Sequence, residues 1–167
     1  MEYLFSCFQS TGFRASNTEI HVRSSWSCDV CYQEVNNDDV TDILPLPICD
    51  TLQDSLDKFN LSYSDDNFCY FCGSVQDGET KKSIVTTGPF LVAQLKRFTS
   101  VEGIAAKIDK LCLCSSPDLM IPVAIDSEVT LRKAFRIRGM ICHSGTVENG
   151  HYTARVYERK SGLWLSL

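Results

Sequence analysis

Residues 141–153 read ICHSGTVENGHYT, and this stretch sets a polar, glycine-containing loop between two strand-like runs. The run before the loop, residues 135–141, alternates between apolar and polar side chains, and residues 152–157 form the strand-like run after it. Two such runs around a loop of this composition predict an antiparallel hairpin. His151 follows Gly150 at the start of the second strand, where a turn can hold an imidazole as a positioned general base.

The clearest helix is predicted at residues 51–60. Thr51 with Asp54 three positions later forms a capping-box pattern, which satisfies free backbone amides at a helix start. The spacing i, i+4, i+7 places three apolar side chains on one face of this helix: Leu52, Leu56 and Phe59.

Most of the remaining chain is predicted as strand, with residues 90–98 as a buried central strand because they form a nearly unbroken apolar run. Further extended segments are predicted at residues 19–23, 44–47, 82–87 and 163–164. Polar turns are predicted at residues 36–39, 65–67 and 76–80. The pattern therefore indicates an α+β protein that is mainly antiparallel β, with one or two short helices.

Charge and cysteine content restrict the class of protein. The net charge is −5, which argues against binding to nucleic-acid phosphates. The chain has no apolar run of about 18 residues, which predicts no membrane span. The N-terminus also lacks a basic region followed by a long apolar stretch, so we expect no secretory signal. Nine cysteines without such a signal indicate reduced thiols and metal ligands in the cytoplasm or the nucleus.

Two CxxC pairs, Cys28 with Cys31 and Cys69 with Cys72, are predicted to bind one structural zinc ion. Gly73 suits the tight turn after the second pair. Residues 32–68 separate the pairs, so we expect them at the ends of neighbouring long strands. The alternative is that one pair consists of ordinary buried thiols. A redox role is disfavoured because no βαβ pattern surrounds either pair.

The other five cysteines are interpreted without a metal. Cys7, Cys49 and Cys142 have apolar neighbours and are predicted to behave as small core residues. Cys112 and Cys114 occupy alternate positions of a possible strand.

Several segments, in one order along residues 28–167, resemble the catalytic domain of the ubiquitin-specific proteases. They are the two CxxC pairs, the helix TLQDSLDKF (51–59), the strand PFLVAQLKRF (89–98), the histidine segment ICHSG (141–145) with GHYTA (150–154), and Leu163-Trp164. The resemblance implies a papain-like cysteine protease palm at about 89–167 and zinc-binding β fingers at about 19–88, with the helical thumb lobe missing.

The family hydrolyses isopeptide bonds after the C-terminal glycines of ubiquitin, so the resemblance implies ubiquitin or ubiquitinated proteins as partners, with no nucleic acid and no membrane. It makes His151 the general base that takes a proton from a cysteine thiol. It implies substrate contacts at His143, Gly150 and Tyr152, and we also expect His143 to hydrogen-bond within the hairpin.

Two departures from the family pattern concern catalysis. No Gly-Asn-Thr-Cys segment is present, and Cys7 lacks that context. The residue that orients the histidine would come four positions after Trp164, beyond Leu167. The sequence therefore predicts a ubiquitin-specific protease-like domain, of the deubiquitinating family, that is inactive by itself. The alternatives are a catalytically inactive module that only binds ubiquitin and a zinc ribbon that only serves as a scaffold.

Overall fold

The computed structural model describes residues 17–59, 62–101, 103–125 and 130–167, in which thirteen strands and one helix occur. In chain order these elements are β1 (Ile20–Ser27), β2 (Glu34–Thr41), β3 (Leu44–Leu46), α1 (Leu52–Phe59), β4 (Ser62–Phe68), β5 (Val75–Thr87), β6 (Ala93–Leu95), β7 (Phe98–Val101), β8 (Ile104–Lys107), β9 (Asp118–Ala124), β10 (Thr130–Arg136), β11 (Gly139–Gly145), β12 (Gly150–Glu158) and β13 (Leu163–Ser166).

Four antiparallel strands in the order β2-β1-β5-β4 form the first sheet. The three polar segments predicted as turns lie inside β2, β4 and β5, so that prediction was wrong. In β2 the reason is visible: Arg23 stands directly opposite Asp38 and forms a two-pronged ion pair, with Nε–Oδ1 at 2.7 Å and Nη2–Oδ2 at 2.8 Å. A cross-strand charge pair supports a strand whose side chains face water.

Helix α1 begins with the predicted capping box. The amide of Asp54 donates to Thr51 Oγ1 at 3.0 Å, and the amide of Thr51 donates to Asp54 Oδ2 at 3.2 Å. The predicted apolar face is confirmed, because Leu56 is buried while Leu52 and Phe59 pack against the core.

The main core lies where α1 meets β1, β3, β5 and β9. Its buried side chains are Ile20, Val22, Leu44, Leu46, Leu56, Ile84 and Ile121. The β11–β12–β13 sheet contributes none of these residues, and it leaves large apolar side chains exposed, among them Ile141, Leu163 and Leu165.

Residues 90–98 do not form a single buried central strand, so that prediction was also wrong. Ala93–Leu95 pair in parallel with β3, and Ala93 and Gln94 are exposed. The run ends because Arg97 leaves the sheet, and its Nη1 donates to the carbonyls of Ile108 and Lys110 at 3.3 and 2.9 Å. Phe98 then opens the β7–β8 hairpin.

The predicted hairpin around residues 141–153 is confirmed as β11 and β12, with β13 paired to the other side of β12. The alternating run 135–141 is divided between two strands, because the β9–β10 ladder ends at Pro117, whose carbonyl accepts from the Ile137 amide at 2.8 Å and which has no amide to donate in return. Strand β10 instead pairs with β9.

Three cysteines outside the CxxC pairs, Cys112, Cys114 and Cys142, differ from their predictions. Cys142 is exposed on β11 and is no core residue, because the face of the hairpin that carries it is uncovered by the rest of the described chain. Cys112 and Cys114 lie outside the strands, where only Leu113 forms an isolated bridge to Thr51. Cys49 is half-buried, and Cys7 lies outside the described residues.

Candidate functional site

The two CxxC pairs come together at the far end of the first sheet. The sulfurs of Cys28, Cys31, Cys69 and Cys72 all lie within 4.8 Å of one another. Two of the sulfur–sulfur distances are 3.7 Å, from Cys28 to Cys72, and 3.6 Å, from Cys31 to Cys69. The first pair lies between β1 and β2 and the second between β4 and β5, at the strand ends where the sequence predicts them.

Both pairs are held by the same backbone arrangement. In the first, the amide of Tyr32 donates to Cys28 O at 2.8 Å; in the second, the amide of Gly73 donates to Cys69 O at 2.8 Å. Tyr32 and Gly73 both adopt a left-handed conformation, with φ of 59° and 73°. The two turns are therefore equivalent, and the first places a tyrosine where the second has the glycine that this backbone favours.

Hydrogen bonds within the cluster favour ionised sulfur at Cys28 and at Cys72. Burial raises the pKa of the Cys28 thiol, but hydrogen bonds from the backbone amides of Cys31 and Val30 outweigh it and lower that pKa to about 6. The side-chain hydrogen bond from Ser74, whose Oγ lies 3.0 Å from Cys72 Sγ, lowers the pKa of Cys72. A thiolate-stabilising set of donors of this kind suits a cation-binding site.

The four cysteines fit a tetrahedral zinc ion. Zinc–sulfur bonds of about 2.3 Å require sulfur–sulfur distances of about 3.8 Å, close to the two distances above. A zinc ion held by Cys28, Cys31, Cys69 and Cys72 would be structural, since four protein ligands leave no open position for chemistry.

A second small core adjoins this cluster. Trp26 is 6% exposed and packs with Cys28 and Cys69, and Cys31 and Val35 contact the same group. The indole therefore couples the sheet to the geometry of the sulfur cluster.

His151, the predicted general base, is the second residue of β12, and its side chain is exposed. It pairs with Ser144 on β11, whose Oγ donates to His151 O at 3.4 Å. Among the described residues, no cysteine sulfur is hydrogen-bonded to its ring. The hairpin thus offers an imidazole with a free approach from solvent.

The structure brings the three predicted substrate-binding residues together on one face. Gly150 pairs with Gly145, and Tyr152 pairs with His143, whereas His151 pairs with Ser144 between them. Since successive residues of a strand point to opposite faces, this group faces away from the His151 side chain.

The ring of His143 lies between two aromatic rings, 4.7 Å from Tyr152 and 5.8 Å from Phe98 between ring centroids. Its Nδ1 is buried and has no hydrogen-bond partner within the described part of the chain. The ring makes an edge contact with Phe98 and a tilted contact with Tyr152.

Sequence reasoning missed three residues at these sites. Ser74 belongs to the sulfur cluster, while Phe98 and Lys107 contact the hairpin that carries His151. Ser74 directly follows the second CxxC turn, and this position could have indicated that its hydroxyl lies beside a cysteine sulfur. Nothing local marked Lys107, because its partners lie 36 and 38 residues away.

A known protein family and several solved structures are similar to this chain. The sequence matches the family model described as ubiquitin carboxyl-terminal hydrolase over residues 10–167. No curated protein matches the chain at a significant level. None of the described helices has the length and apolar character needed to cross a membrane.

Solved structures of the SAGA Ubp8/Sgf11/Sus1/Sgf73 DUB module are similar to this chain. The form bound to ubiquitin aldehyde has 25% sequence identity and a TM-score of 0.76, over 91% of this chain and 36% of that chain. The form bound to monoubiquitin has 26% identity and a TM-score of 0.73, over 91% and 35%. A yeast form has 26% identity and a TM-score of 0.76, over 91% and 35%. The chain thus spans about a third of the length of the proteins it matches.

Proposed function

Since the chain belongs to the ubiquitin carboxyl-terminal hydrolase family, in its ubiquitin-specific protease type, we propose that it binds ubiquitin and serves protein deubiquitination. The observation that carries the proposal is the likeness over 91% of the chain to a DUB module solved with ubiquitin aldehyde. Residues of about 19–88 act as the fingers and residues of about 89–167 as the palm.

His151 is the general base of the family reaction. Its imidazole takes the proton of a cysteine thiol, so that the thiolate attacks the carbonyl carbon of the isopeptide bond. The same imidazole then gives that proton to the leaving lysine amine. Its exposed position on β12 supports this role, because a cysteine and a substrate must both reach it.

The chain by itself holds ubiquitin without hydrolysing it. Two observations support this statement: the sequence contains no Gly-Asn-Thr-Cys segment, and no described cysteine is hydrogen-bonded to His151. Catalysis then requires a nucleophile that the described residues do not present to the imidazole.

We predict that the ubiquitin tail contacts His143, Gly150 and Tyr152. The geometry requires that these contacts be made on the face of the hairpin opposite to the His151 side chain. Tyr152 is 65% exposed and points to the face opposite His151. A Tyr152→Ala change therefore weakens ubiquitin binding through that face and leaves the surroundings of His151 as they are.

A structural zinc site completes the proposal. Four reduced thiols that converge within 4.8 Å fit the cytoplasm or the nucleus, where thiols stay reduced. The ion closes the end of the fingers and keeps β1 and β5 in place for ubiquitin.

A titration of isotopically labelled ubiquitin with the purified chain tests binding. We expect localised shifts in the ubiquitin spectrum, reduced by Tyr152→Ala and unaffected by Glu148→Gln, a change at an exposed loop carboxylate. No shift at about 1 mM chain, equivalent to a binding free energy weaker than about −4 kcal/mol, refutes ubiquitin binding.

A ubiquitin probe with a thiol-reactive C-terminus tests the absence of a nucleophile. We expect no covalent adduct on the chain after hours of incubation, while an active deubiquitinase in a parallel tube is labelled. Labelling of any cysteine, located by peptide mass spectrometry, would show that the chain supplies its own nucleophile.

A further inference from the structure

Lys107 ends β8 and directs its ammonium group at the hairpin that carries His151. Its side chain is only 14% exposed. The Nζ donates to Gly145 O at 2.8 Å and to His143 O at 3.4 Å. A lysine buried to this degree with two carbonyl acceptors contributes charge-assisted hydrogen bonds, which are stronger than neutral ones.

The position of the two acceptors relates Lys107 to His151. Carbonyls two residues apart on a strand point to the same side, so those of His143 and Gly145 face one edge of β11. Strand β11 is the outer strand of the β11–β12–β13 sheet. The residue between the two carbonyls is Ser144, which pairs with His151 across the sheet. Lys107 therefore covers the open edge of β11 at the register position of the predicted base.

A second contact reaches β11 from the same β7–β8 hairpin. Phe98 is the register partner of Lys107, and its ring centroid lies 5.8 Å from that of His143. The ring of Phe98 contacts the side chain of His143, while Lys107 binds the His143 carbonyl. The β7–β8 hairpin thus holds β11 at two points beside Ser144.

The ion pair of Lys107 does not account for this placement. Among the described residues, the carboxylate that Lys107 pairs with is that of Asp109, whose Oδ1 lies 3.9 Å away and whose side chain is 86% exposed. A pair at that distance in water contributes little. The carbonyls of β11 are the closer partners of the ammonium group.

We propose that Lys107 is a positioning residue for His151: by binding the edge of β11 it fixes the strand against which the His151 backbone is paired. The proposal rests on the proposed role of His151 as general base. It concerns the conformation of the hairpin, however, and is measured without ubiquitin or hydrolysis.

The test uses the zinc-loaded full chain and three variants. Lys107→Met removes the donors at similar length, and Lys107→Arg keeps them. Lys133→Met is the matched control, because Lys133 Nζ also donates to backbone carbonyls, those of Thr87 at 3.0 Å and Gly88 at 3.4 Å, in a different part of the fold. The readouts are the imidazole signals of the three histidines in proton–nitrogen spectra, assigned by single His→Gln changes, and amide hydrogen exchange.

In Lys107→Met we expect the ring signals of His151 and His143 to move or broaden while those of His21 stay, and exchange in β11 and β12 to accelerate about tenfold. Lys107→Arg restores both readouts, and Lys133→Met leaves them at wild-type values. Unchanged His151 signals in folded Lys107→Met overturn the proposal, as does failure of Lys107→Arg to restore them. If Lys107→Met does not fold, Lys107→Gln replaces it, and unchanged signals there overturn the proposal equally. Absence of ubiquitin binding in the titration above would refute the proposed function, whereas the spectra and exchange rates of the Lys107 variants test the contact with β11 separately.

Discussion

The ring of His143 occupies the space that a side chain at position 150 would need. A Cβ placed on Gly150 overlaps His143 Nε2 and comes within 2.7 Å of Ser144 O. Gly150 therefore leaves room for the His143 ring to contact both Phe98 and Tyr152, and Gly150 directly precedes the residue that we propose as the general base.

Replacement of Gly150 by alanine tests this relationship. We expect Gly150→Ala to lower the free energy of unfolding by about 1–3 kcal/mol, because the His143 ring must leave its position. The matched control is Gly139→Ala at the start of the same strand pair, where the new Cβ would lie 3.5 Å from Arg155 O. That change should stay within about 0.5 kcal/mol in a urea titration; equal costs for both would contradict the packing role of Gly150.

The equivalent turns of the two CxxC pairs predict opposite effects of glycine. Tyr32→Gly should raise the free energy of unfolding by up to about 1 kcal/mol, because a tyrosine pays to adopt a left-handed conformation. Gly73→Ala should lower it by about 1 kcal/mol, although no atom lies within 4 Å of the added Cβ. Both are measured by urea denaturation of the zinc-loaded chain. If Tyr32→Gly lowers the free energy of unfolding, the contacts of the tyrosine ring stabilise the fold by more than its left-handed backbone conformation destabilises it, and the prediction is wrong.

Metal removal should be visible in the fluorescence of Trp26. This indole is 6% exposed and packs on Cys28 and Cys69, whereas Trp164 is 41% exposed. We expect a chelator to shift the emission to longer wavelength, since the cluster and the adjoining core lose their shape together. The Trp26→Phe variant should show no such shift. Metal content of one zinc ion per chain is checked by elemental analysis, and an unshifted spectrum after verified zinc loss would refute the structural role.

Acid should weaken the two cross-strand arginine–aspartate pairs. Hydrogen bonds from Arg23 hold the pKa of Asp38 below its usual range, and those from Arg136 do the same for Asp118. A carboxyl whose folded pKa is depressed contributes stability above its unfolded pKa of about 3.9, and loses it as the pH falls through the folded pKa.

The melting temperature of Asp118→Asn against pH checks this sign. Its deficit relative to wild type should be small, since both side chains of the pair are about half exposed, and constant from about pH 7 to 5. The deficit should shrink as the pH falls below the unfolded pKa of about 3.9 and vanish below the depressed folded pKa of Asp118. Glu148→Gln, at an exposed carboxylate without an ion pair in the described residues, should show no pH-dependent difference. A deficit that grows in acid would contradict the depressed pKa of Asp118.

Features set by short spacings could be predicted from the sequence. The CxxC pairs, the capping box of Thr51 and Asp54, and the hairpin around His151 each depend on residues within about a dozen positions. Their chemistry is local: two sulfurs separated by two residues face one ion, and a hydroxyl and a carboxylate three apart close a helix start. The order of these local motifs was also sufficient to indicate the family.

Features set by distant partners could not be predicted in this way. Residues 36–39 have the composition of a turn, yet they form part of β2 because Arg23 faces Asp38 across the strand pair. The apolar run 90–98 has the composition of a central strand, yet only Ala93–Leu95 pair with β3, and Phe98 pairs with β8 in a different sheet.

The hairpin of His151 shows both cases in one element. The sequence by itself determined that residues 141–153 turn back on themselves with His151 at the second strand, because alternation and loop composition act between neighbours. Only the tertiary structure decided that Lys107 binds the edge of β11 and that His143 stacks over Gly150. Those contacts join groups that are close in space and, for Lys107, far apart in the chain, and no local pattern encodes which distant donor reaches an open strand edge.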